Sequence, residues 1–133
     1  MFIFYFLVPL FLFSAQVDCK ESQDITAINY LAKTRGYELN IFITASFFTY
    51  NGKKERTAEK QWESLIFLID NLDLTKLNTF EAPTESRFTD RVMQANLIIE
   101  TKDSVYTSME FDHGHPPKEI QKVVANLLQL KDK

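Results

Sequence analysis

From Tyr37 to Phe47 apolar and polar side chains alternate with a period of two. Tyr37, Leu39, Ile41, Ile43, Ala45 and Phe47 stand against Glu38, Asn40, Phe42, Thr44 and Ser46. Alternation in aromatic and β-branched residues predicts a strand with one buried face. The run on to Tyr50 is long for a single strand. Either it breaks near Ala45–Ser46 into two antiparallel strands, or it continues and turns at Asn51-Gly52, a favoured hairpin pair. Both readings give a hairpin. The period then changes: Trp62, Leu65, Ile66, Ile69 and Leu72 fall at helical spacing, with Glu59, Lys60, Glu63 and Asp70 on other faces. Thr57 is a reasonable N-cap, and Glu59 suits the positive end of the helix dipole. A stripe of this kind is core packing rather than a cofactor box.

A long connection follows, anchored at its start by Leu74 and Leu77 and kept out of regular structure by Pro83. A second hairpin is predicted across Lys102-Asp103. Met93, Ala95, Leu97 and Ile99 alternate on its first strand, and Val105, Thr107, Met109 and Phe111 on its second. Ile120, Val123, Val124, Leu127 and Leu128 then share one face of a closing helix, with Lys131 and Lys133 beyond its C-terminal end. Before all of this, Ile25, Ile28 and Leu31 fit either a short amphipathic turn or part of a strand, ended by Gly36. The order hairpin, helix, hairpin, helix predicts an α+β fold. Two ββα units would form an antiparallel sheet of about four strands, with both helices packed on one face.

Composition changes the picture at the N-terminus. Residues 1–13 are wholly apolar and hold five of the twelve Phe of this 133-residue chain. That is too short to span a bilayer, which needs roughly 20 apolar residues. It has the length of a secretory signal's apolar region, although no Lys or Arg precedes it. Residues 1–19 therefore read as a signal peptide and 20–133 as a single α+β domain. Cys19 is the only cysteine and sits where a bacterial lipoprotein carries its lipid, so it is a lipidation candidate. Gln16 and Asp18 depart from the usual box around such a cysteine. One cysteine excludes an internal disulfide and a cysteine-based zinc cluster. The net charge is −3, with acidic and basic residues interspersed. No basic stripe marks a nucleic-acid surface.

The chemistry worth weighing lies in "FDHGHPPKEI", residues 111–120. Asp112, His113 and His115 could bind a transition metal, since two histidines and a carboxylate are suitable ligands. They are the only two histidines, however, and no distant ligand is marked. The same segment also reads as a strand handing over to a helix. Phe111 would close the strand's inward set, and Asp112 would accept bonds from following amides in a turn. Gly114 would take the positive φ of a tight reversal. Pro116 or Pro117 would enter the first helical turn, and Glu119 would add the favoured charge. The handover uses every residue and is preferred. Ser108, His113 and Asp90 can be assembled into a triad on paper, but their spacing does not ask for it. There is no glycine-rich phosphate loop and no Gly-x-Ser-x-Gly elbow. The sequence thus points away from an enzyme and calls for no cofactor.

Three motifs carry a family resemblance. They are Arg35-Gly36, then Ala82-Pro83 followed by Arg87 and Asp90, and then Phe111-Asp112-His113-Gly114-x-Pro116-Pro117. Across roughly residues 35–130 the chain resembles a group of small, exported, often lipid-anchored bacterial proteins of unknown function. His115 departs from the small polar residue common at its position. The resemblance implies an exported domain in the periplasm or anchored at the cell envelope. It implies contact with the membrane only through a lipid anchor and supplies no activity; a partner would be another envelope protein. Arg87 and Asp90, in the long connection, are expected to be structural. Asp90 or Asp112 would receive Arg87 or Arg35, or accept backbone amides, and so pin the connection against the sheet.

Overall fold

The computed structural model describes residues 23–89 and 91–132. The signal-like start with Cys19, and Asp90, lie outside them. Among the described residues seven strands form one antiparallel sheet: β1 (Ile25–Thr34), β2 (Tyr37–Ile43), β3 (Phe47–Tyr50), β4 (Lys53–Arg56), β5 (Gln94–Thr101), β6 (Val105–Thr107) and β7 (Phe111–Asp112). Their order is β4-β3-β2-β1-β5-β6, with β7 also paired to β5. Helix α1 (Glu59–Asp70) follows β4, and α2 (Gln121–Leu128) follows β7. The α+β class holds. Two ββα units on four strands do not, because a meander of four strands precedes α1 and three further strands precede α2.

β1 realises the strand alternative for Ile25, Ile28 and Leu31, in a place that was not expected. It is the centre of the sheet, paired along its length with β2 on one side and β5 on the other. Its inward residues are Ile28, Tyr30 and Ala32, all fully buried. Leu31 points to the opposite face. The period of two was therefore carried by a tyrosine and an alanine, while the three larger aliphatics fell at helical spacing.

Both hairpin readings of residues 37–56 are realised together. β2 ends at Ile43, the chain turns through Thr44–Ser46, and β3 then pairs with β4 across Asn51-Gly52. Asn51 and Gly52 both take positive φ, 49° and 85°, as a tight two-residue hairpin requires. The turn at 44–46 reverses the face, so Phe48 rather than Phe47 is buried and Ala45 is exposed; Tyr37, at the far end of β2, is exposed as well.

The second hairpin departs in the same way. Leu97 pairs with Ser108 through the Ser108 amide and the Leu97 carbonyl (2.8 Å), whereas Ala95 pairs with Phe111. Two residues of β5 thus face three on the partner, a bulge at residues 108–110. The extra residue flips the alternation. Val105, Thr107 and Met109 are exposed, Ser108 is buried, and Phe111 returns to the core.

One apolar core joins the sheet to both helices. Leu65 and Ile69 of α1, Ile120, Val123, Val124 and Leu127 at α2, and Leu130 pack against the inward residues of the strands. Leu74 and Leu77 anchor the connection after α1 within a short 3₁₀ turn, Leu74–Thr79. Trp62 and Leu72 are only half-buried at the edge of this core. Thr57 is not the cap of α1. Ala58 occupies that position and makes no side-chain bond.

Candidate functional site

The 111–117 segment lies at the outer edge of β5. Pairing of Phe111 and Asp112 with Ala95 and Gln94 carries the chain to the end of the sheet. There the His113 amide donates to the Met93 carbonyl at 2.9 Å, and the His115 amide to the Asp112 carbonyl at 2.8 Å. Gly114, at φ 85°, makes the reversal. Pro117 is the N-cap of a 3₁₀ turn, Lys118–Ile120, that runs into α2, so neither proline lies inside a helical turn.

The Asp112 side chain is fully buried, and its contacts come from earlier in the chain, not from the amides that follow it. Oδ2 accepts from the Thr84 hydroxyl (2.5 Å) and the Ser86 amide (2.7 Å). Oδ1 accepts from the Arg87 amide (2.9 Å) and the Arg87 guanidinium (3.2 Å). A carboxylate offers about four acceptor positions, and all are taken. Burial alone raises the Asp112 carboxyl. The Thr84 hydroxyl, the Arg87 and Ser86 amides and the guanidinium outweigh it and bring it down to about 2. Arg87 is itself nearly buried and also donates to the Thr84 carbonyl at 2.8 Å. Residues 84–87 are thereby tied to the end of the sheet, with Ser86–Thr89 forming another 3₁₀ turn. Arg35 takes no part, being exposed in the turn between β1 and β2. Pro83 is also exposed.

Beside this carboxylate, the buried Tyr30 hydroxyl meets His113 Nδ1 at 2.8 Å. The two rings lie 5.8 Å apart, and the Phe111 ring lies 6.1 Å from that of Tyr30. Burial raises the pKa of the Tyr30 phenol, with the Gly114 backbone opposing it. Burial also lowers that of His113. Near neutral pH the phenol therefore stays protonated and shares a hydrogen bond with Nδ1 of His113. Nothing in the sequence singled out Tyr30, Thr84 or Ser86. Their roles arise from contacts 25 or more residues apart in the chain.

The metal candidates are not gathered into a site. Asp112 is saturated, His113 is turned to Tyr30, and His115 is exposed. Among the described residues no three His, Cys, Asp or Glu side chains stand together as a metal cage. Ser108 is equally committed: its Oγ accepts from the Leu97 amide and donates to the Met109 carbonyl, both at 2.9 Å. It fills the bulge instead of awaiting a substrate. Among the described residues no helix is long and apolar enough to cross a membrane. The chain matches no family model, and no significant match to it is found among curated proteins or solved structures.

Proposed function

We propose that this protein is an exported envelope protein acting as a non-catalytic binding or accessory module. The observation that carries the reading is the internal use of its most reactive-looking residues. The Asp112 carboxylate, the Thr84 hydroxyl, Arg87 Nη1, the Tyr30 hydroxyl and His113 Nδ1 are spent on one another or on backbone. Such a cluster fixes a long connection and leaves no carboxylate or imidazole poised for proton transfer. The apolar run at residues 1–13 and the motifs shared with small exported bacterial proteins support export, with Cys19 as the candidate anchor. Intact-mass measurement on the protein purified from its native host tests this. A chain beginning near Lys20, or a diacylglyceryl group on Cys19, is expected. A soluble protein that keeps Met1 rejects export.

A further inference from the structure

The 111–117 cluster is closed, but a different part of the surface is open. A cleft of about 870 Å³ lies between the turn after β2 and the start of α1, bordered by Arg56, Thr57, Glu59, Trp62 and Glu63. That volume falls in the range of small-ligand sites.

Its chemistry is unspent. The 12-residue helix α1 starts without a side-chain cap. The Gln61 and Trp62 amides turn back to the Ala58 carbonyl. The Glu59 and Lys60 amides precede any possible intrahelical acceptor, which leaves a partial positive charge at this end. Thr57 is only 6% exposed, and its amide is fixed on the Ser46 carbonyl at 3.1 Å. Its buried Oγ1 has no hydrogen-bond partner. An unsatisfied buried hydroxyl is costly, and valine would fill the same space without that cost. Arg56, Glu59 and Glu63 bring opposite charges to the same cleft, yet none of them takes part in the Lys53–Glu55 or Arg87–Asp112 ion pair.

We propose that this cleft binds a short zwitterionic peptide, a dipeptide with both ends free and an apolar side chain. Its carboxylate takes the helix N-terminus, the Thr57 hydroxyl and Arg56. Its ammonium goes to Glu63, with Glu59 beside it on the same helix face, and its side chain lies on Trp62. The helix start and Glu63 are separated by four residues, about 6 Å along the axis. At about 3.5 Å per residue the two ends of an extended dipeptide span that distance.

The inference rests on the binding-module reading, and its test separates the two. Trp62 is the only tryptophan, so its fluorescence reports occupancy of the cleft directly. The purified chain is titrated with leucyl-leucine, its N-acetyl form, its C-terminal amide and the doubly blocked peptide. Saturable binding of leucyl-leucine is expected, at least tenfold weaker with either end blocked. Thr57→Val should weaken it several-fold while leaving the thermal midpoint equal or higher, so that unfolding cannot explain the loss. Equal affinity for the doubly blocked peptide overturns the zwitterion but leaves a binding module. Silence with all four overturns peptide binding at this cleft, while the intact-mass test of export stands by itself.

Discussion

Asp112 shows how much one buried carboxylate can organise. Its four donors come from Thr84, Ser86 and Arg87, so its removal frees the connection and strands the Arg87 charge, whose side chain is 10% exposed. Breaking a buried pair by removing one partner costs about 3–5 kcal/mol. Asp112→Asn should therefore lower stability by about 3 kcal/mol in urea denaturation, because an amide cannot accept all four bonds. Arg87→Met removes one donor of four and should cost about 2 kcal/mol. The reverse order would show that the guanidinium, not the amides, holds the carboxylate. Tyr30→Phe keeps the buried ring but leaves His113 Nδ1 without its hydroxyl partner, at a cost of about 1–2 kcal/mol by the same measurement.

At the level of elements, the periods of the sequence located β2, β5 and both helices. They failed wherever a single residue changes the face. The bulge at residues 108–110 is one such place, and its physical cause is Ser108, whose hydroxyl takes the Leu97 amide that a regular ladder would pair with backbone. Serine at that site reads locally as an outward polar residue, so the phase shift could not be seen from the pattern. Ser108→Ala leaves a buried donor unpaired and should cost about 1–3 kcal/mol, with faster amide exchange at Leu97. Met109→Lys, on the exposed side of the same bulge, should stay within about 0.5 kcal/mol. Exchange at Leu97 unchanged in Ser108→Ala would mean that the bulge is held by backbone alone. At Gly114 the space beside Cα is open, so Gly114→Ala tests conformation without a clash. A positive φ costs a non-glycine residue about 1–2 kcal/mol.

For the whole molecule, the turn at 111–117 was legible as a junction because Gly114 takes the positive φ of a reversal, whereas the local rules for Asp112 and the prolines did not hold. Its partners were not legible, since Asp112 meets Thr84–Arg87 and His113 meets Tyr30 across loop and sheet, where no spacing encodes contact. Nor was the central place of β1, which depends on pairing with β5 some seventy residues later. These long-range contacts make stability depend on pH in a defined way. His113 is lowered from 6.5 in the folded chain, so below pH 6.5 the unfolded chain binds more protons and stability falls as pH drops. Asp112 is lowered from 3.8 to about 2, so its contribution is whole above about pH 4 and is lost between there and pH 2. Tyr30 is raised above its ordinary 10.0, so the unfolded chain gives up its proton first and stability falls above pH 10. Denaturant midpoints measured from pH 2 to 11 should show a plateau near pH 7–9, a shallow decline below 6.5, a steeper one below 4 and a third above 10. His113→Gln should remove the shallow acid step, Asp112→Asn should flatten the steep one, and Tyr30→Phe should remove the alkaline loss. An acid limb that keeps its shape in Asp112→Asn would place the titrating carboxylate elsewhere and reject Asp112 as the group that closes this end of the sheet.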